Sequence, residues 1–128
     1  MARRITNNIN AKKDLEHTNF AFWMWWFPGL IAITFGLAYD FNLLSLVLAG
    51  TIWAMAVIWM GIGCFINGRH CGRVHCKIDG LLFPALGIVG FFGVLGIISA
   101  FNWNYYWLIF FAILFGSFLV EALWRKYV

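Results

Sequence analysis

Four long apolar runs alternate with short polar breaks along the chain. They cover residues 20–39 (FAFWMWWFPGLIAITFGLAY), 43–66 (LLSLVLAGTIWAMAVIWMGIGCFI), 81–100 (LLFPALGIVGFFGVLGIISA) and 104–124 (NYYWLIFFAILFGSFLVEALW). About 20 apolar residues in a helix cross a bilayer core, so each run predicts one transmembrane helix. None alternates apolar and polar residues as a barrel strand does. A helix satisfies its own backbone polar groups, which lipid requires. The breaks at 40–42 (DFN) and 101–103 (FNW) are tight, while the break at 67–80 is longer and polar. Short links make consecutive helices antiparallel neighbours. The expected architecture is all-α: an antiparallel up-down bundle of four transmembrane helices, preceded by a polar arm at 1–19.

Composition agrees with this pattern. Apolar residues make up 63% of the 128 and charged residues 11%. Soluble domains carry about 45–50% and about 25%. The length fits one domain. The sequence holds no nucleic-acid motif and no long basic run, so the expected environment is a lipid bilayer and not a nucleic acid. The polar N-terminal stretch lacks the short apolar core and small-residue cleavage site of a secretory signal.

Charge adds an orientation. The nine Lys and Arg residues fall in three regions: Arg3, Arg4, Lys12 and Lys13 before the first run; Arg69, Arg73 and Lys77 between the second and third; Arg125 and Lys126 after the fourth. Four crossings put all three regions on one face. The positive-inside rule makes that face cytoplasmic, with both termini inside a cell inner membrane. Trp23, Trp25, Trp26 and Trp124 are expected at the inner interface, and Trp103, Tyr105, Tyr106 and Trp107 at the outer one. Trp53 and Trp59 are expected between helices. Pro84 falls in the first turn of the third run, and Pro28 lies deep enough in the first to kink it. Gly87, Gly90, Gly93 and Gly96 form a small-residue stripe that admits a close helix. Its partner is another span, a second copy in a homo-oligomer, or a larger membrane complex.

Candidate chemistry is concentrated in one place. The segment CFINGRHCGRVHCKIDG, 64–80, holds all three cysteines and two of the three histidines. Cytoplasmic thiols stay reduced, so metal or thiol chemistry is expected there in preference to a structural disulfide. In one continuous helix Cys64 and Cys71 stand about 10.5 Å apart along the axis. Metal–ligand bonds are only about 2.0–2.3 Å long. The chain is therefore expected to fold back, with Asn67–Gly68 ending a helix and Gly72 permitting a second turn. Cys71 and His75 are an i, i+4 pair. The expected ligands are Cys71, His75 and Cys76, then Cys64, with His70 and Glu121 after them. Glu121 has the alternative of pairing with Arg125 one turn on. Arg69 and Arg73 offset thiolate charge, and Asp79 stands just before the third run. Sulfur with imidazole suits a thiophilic transition metal such as zinc or copper(I).

The same segment resembles a loop motif, N-x2-R-C-G-R-x-H-C, of small prokaryotic membrane proteins of no established activity. Asn67, Cys71, Gly72, Arg73, His75 and Cys76 match it, and His70 stands where the motif has Arg. The layout is loosely similar to small mercury-handling membrane proteins, whose cysteines are paired and adjacent; this chain has no adjacent pair. The leading expectation is a cytoplasm-facing thiophilic metal site serving transport, delivery or sensing. Two alternatives stand beside it: an accessory subunit of a larger membrane complex, and a thiol-dependent membrane enzyme with Cys71 or Cys76 as nucleophile. The sequence offers no Ser-His-Asp set, phosphate loop or paired catalytic carboxylates for another kind of enzyme.

Overall fold

The computed structural model describes residues 19–123, apart from the side chain of Cys71. The arm expected at 1–19 falls outside the described residues except for Asn19, as do Trp124, Arg125 and Lys126. Among the described residues, four helices follow one another: α1 (Asn19–Asp40), α2 (Leu46–Cys71), α3 (Val74–Val94) and α4 (Trp103–Leu123). All four are long and apolar enough to cross a membrane, as in a multi-pass membrane protein.

The helix ends differ from the expected ones, and glycine explains both large shifts. The polar segment 67–80 is not a fourteen-residue loop. α2 runs through Asn67–Gly68 to Cys71 and stops at Gly72, whose φ of 72° is left-handed and whose N–H bonds the carbonyl of Gly68. α3 begins at once, at Val74. Asn67 does not end α2 because its side chain is fully buried and engaged across the turn. α3 in turn stops at Val94, six residues before the expected end. Gly96 adopts φ 77°, and the N–H groups of Gly96 and Ile97 cap Gly93 and Phe92. This is the glycine-terminated helix end that left-handed backbone permits. Because α3 starts early, Pro84 lies inside it and not in its first turn.

α2 and α3 form the centre, and α1 and α4 flank them. Half of α2's most apolar window is buried, against 17% of α4's. Contact between α2 and α3 is close because glycines line it. A Cβ on Gly80 would sit 2.7 Å from Phe65 Cα, and one on Gly87 would sit 2.8 Å from the Ala54 carbonyl oxygen. The glycine stripe is thus filled from within the chain: Gly87 meets α2, Gly90 meets Tyr106, Gly93 meets Phe101, and Gly96 lies in the turn with open space around it.

The core is aromatic. Trp53 is fully buried, with ring centroids 4.8 Å from Tyr106, 5.3 Å from Phe110, 5.4 Å from Trp107 and 5.7 Å from Trp103. Edge-on contacts of this kind favour the ring quadrupoles. Trp103 and Tyr106, expected at the lipid interface, point inward, and Tyr106 Oη–H donates to the Leu86 carbonyl. Trp59, expected between helices, is partly exposed and donates to Met24 Sδ. Trp23, Trp26 and Tyr105 face outward.

α1 carries a π-helical turn at Phe22–Trp26, directly before Pro28. Proline has no N–H for the carbonyl four residues earlier and crowds it, so the wider turn relieves the clash. Trp25 lies within this turn.

Candidate functional site

The polar residues of the α2–α3 segment converge, as a set that shares most of its members with the expected one and adds Asn67. They lie where the end of α2, the start of α3, the start of α1 and the end of α4 meet. Cys64 and Asn67 come from one face of α2, three residues apart. His75, Cys76 and Asp79 come from the first two turns of α3. All are buried.

Cys76 is the centre of the arrangement. Its Sγ lies 3.2 Å from His75 Nε2 and 3.5 Å from Asn67 Nδ2, which donates to it. Cys64 lines the same cavity as Cys76, so the two thiols face one space across the α2–α3 turn. Cys64 Sγ accepts from Trp25 Nε1–H at 3.1 Å, so the π turn of α1 closes this side. Both thiols are free.

His75 is held on three sides. Its Nδ1–H donates to Glu121 Oε2. Its ring stacks on Phe118, centroids 4.4 Å apart and planes 21° from parallel. Its backbone N–H donates to the same Glu121 oxygen at 3.2 Å. A carboxylate only accepts, so Nδ1 carries the proton, and in the neutral ring the Nε2 lone pair faces the Cys76 thiol. Arg73, the residue before α3, donates to Glu121 Oε1 at 2.9 Å, and both side chains are more than nine-tenths buried. Glu121 therefore serves two ends: it orients His75, and it supplies the acceptor that the first turn of α3 needs.

Asp79 lies one turn further into α3. Ser117 Oγ–H on α4 donates to the Leu114 carbonyl of its own helix at 2.9 Å, and Asp79 Oδ1 is buried with no hydrogen-bond partner. Ser117, Phe118 and Glu121 share one face of α4, with Leu114 a turn earlier. Cys64, His75, Cys76 and Asp79 all line one cavity of about 190 Å³, with Met60, Phe83 and Phe118 among its apolar walls.

Of the expected site residues, Cys64, His75, Cys76, Glu121, Arg73 and Asp79 are brought together. Arg69 and His70 are exposed at the end of α2, Arg69 with its guanidinium 4.4 Å from the Phe65 ring. The Cys71 side chain lies outside the described residues. Among those described, no group of three or more His, Cys, Asp and Glu is arranged to hold a metal ion. Asn67, Trp25 and Phe118 were not foreseen as site residues. Asn67 had a usable signal, the i, i+3 spacing from Cys64 on one continuous helix. Trp25 and Phe118 had none, since tertiary packing alone delivers them.

Comparison with protein-family models, curated proteins and solved structures gives no match to this chain.

Proposed function

We propose that this protein is a thiol-dependent membrane enzyme whose reactive group is the Cys64–Cys76 dithiol. The observation that carries this reading is the line Cys76 Sγ, His75 Nε2, His75 Nδ1, Glu121, with a second thiol on the same cavity. A nucleophile, a base within reach and a third group orienting the base are the general signature of covalent catalysis. His75 takes the Cys76 proton, and the sulfur bonds to an electrophilic substrate. Cys64 then attacks Cys76 Sγ, forming the disulfide and releasing the substrate with two more electrons. The two thiol protons leave with the substrate. A low-molecular-weight thiol reductant restores the dithiol by exchange.

The finer topology belongs to the same proposal. The up-down arrangement, cytoplasmic termini and inner-membrane location are supported by the one-sided Lys and Arg distribution. They are also supported by the meeting of α1's start, α2's end, α3's start and α4's end at one site. On that reading the dithiol sits at the cytoplasmic end of the bundle, where thiol reductants reach it.

Site-resolved alkylation by iodoacetamide tests the reading. Cys76 is expected to react about tenfold or more faster in the parent than in His75→Gln, within the range general-base assistance supplies. Equal rates in the two proteins overturn it.

A second reading keeps the expected metal. Histidine ligands commonly donate their other ring N–H to a carboxylate, as His75 does to Glu121. Two thiols and the Met60 thioether on one cavity suit a soft ion such as copper(I). Stoichiometric metal in the purified protein, lost in Cys64→Ser/Cys76→Ser, would favour this reading over the enzyme.

A further inference from the structure

A second cavity adjoins the thiol site. It has a volume of about 360 Å³ and lies between α1 and α4, with Met60 of α2 at its floor. Its walls are apolar: Gly29, Leu30 and Ile33 on α1 face Trp107, Phe111 and Leu114 on α4. Trp25, Trp26, Met60 and Leu114 line both cavities, so the two adjoin across these four side chains. Leu30, Ile33 and Phe111 are also exposed, which places the mouth of the cleft on the bundle's outer surface, within the apolar stretch of both helices.

The two cavities differ in chemistry. The cleft is apolar throughout. The thiol cavity carries two sulfurs, an imidazole and the unpartnered Asp79 Oδ1, between aromatic walls. One molecule fits both when its head is flat, polar and reducible by two electrons and its tail is apolar. We propose that the substrate is a membrane-soluble quinone, its ring at the Cys64–Cys76 dithiol and its hydrocarbon tail in the cleft between α1 and α4. This rests on the dithiol reading above and names its oxidant. Cys76 sulfur adds to the quinone ring, and Cys64 attacks Cys76 Sγ and displaces the hydroquinone. Two thiols and one quinone give one disulfide and one hydroquinone, and both thiol protons end on its oxygens. Asp79 Oδ1 is a buried acceptor available to a hydroxyl of the hydroquinone. The tail gains little hydrophobic energy by leaving lipid for the cleft, since lipid tails are equally apolar. What the cleft supplies is orientation of the ring against the sulfurs.

The test uses the full chain, reduced, in mild detergent. Hydroquinone formation is followed with decyl-benzoquinone and with tail-free benzoquinone, and each rate is corrected for partition into micelles. The tailed quinone is expected to react about tenfold faster, a preference within reach of modest positioning. Gly29→Leu, which projects into the cleft beside Met60, is expected to abolish that preference. Leu108→Trp, on an exposed part of α4 away from the cleft, is expected to keep it. Leu30→Trp gives a second closure of the cleft should Gly29→Leu not fold. Equal rates for the two quinones, or a preference untouched by filling the cleft, overturn the tail site. No hydroquinone from a protein whose Cys76 is still rapidly alkylated overturns the quinone and leaves the dithiol reading standing. Slow alkylation that ignores His75→Gln, with no hydroquinone, overturns both.

Discussion

At the scale of single residues, Glu121 ties the start of α3 to the end of α4. It accepts from Arg73, from the His75 ring and from the His75 backbone. Removing one partner from a buried ionic cluster leaves the other charge unpaired, at a cost of about 3–5 kcal/mol. Glu121→Ala is therefore expected to lower the thermal midpoint markedly and to slow Cys76 alkylation. Asp79→Asn, at a carboxyl that forms no ion pair among the described residues, is expected to be milder in melting. Equal effects of the two would separate Glu121 from the role described. The sequence singled out Glu121 as an ionisable residue inside a span. It did not reveal the partner, because the local choice, Arg125 at i+4, competes with a histidine 46 positions away. Cys76, His75 and Cys64 were likewise legible as chemistry by type. Their grouping was not, since it depends on which faces of α2 and α3 meet across the turn.

At the scale of elements, the glycines decide how closely the helices approach and where they stop. Gly87 has the Ala54 carbonyl within 2.8 Å of any added Cβ, whereas Gly116 has nothing within 4 Å. Both sit inside helices, where Ala is intrinsically favoured by about 0.5–1 kcal/mol. Gly116→Ala is expected to raise stability by about that amount, and Gly87→Ala to lower it by about 1–3 kcal/mol, the usual cost of overpacking. Thermal unfolding of the two variants side by side checks this; the same sign in both would contradict the packing. Four spans were evident from apolar length alone. Their ends were not, because Asn67–Gly68 and Gly72 offer equal local stop signals. Burial of Asn67 against Cys76 settles the choice for Gly72, and only the folded pair of helices contains that contact. The same lesson holds for Trp103 and Tyr106. An aromatic at a span end has the composition of an interface anchor, and glycine at position 90 is what opens the space for the Tyr106 hydroxyl.

At the scale of the whole molecule, the proposed orientation places the α1–α2 and α3–α4 turns outside and the dithiol inside. Asn42→Cys and Asn102→Cys, each in a variant lacking the native cysteines, are expected to label with a membrane-impermeant maleimide from outside intact cells. A native-cysteine protein is expected to stay unlabelled until the membrane is opened. The reverse pattern would invert the topology and bring the dithiol to an oxidising face. Either way the bundle remains the same object: a packed α2–α3 pair, with α1 and α4 held apart enough to leave an apolar cleft beside the thiol cavity.

The functional account rests on Cys64 and Cys76 being partners across the α2–α3 turn. Mild oxidation of the purified protein, followed by peptide mapping of disulfides, tests that most directly. The account predicts a Cys64–Cys76 bond within single chains, formed ahead of any bond to Cys71 and more slowly in His75→Gln. A first-formed bond between Cys71 and Cys76, or no intramolecular bond at all, would contradict it.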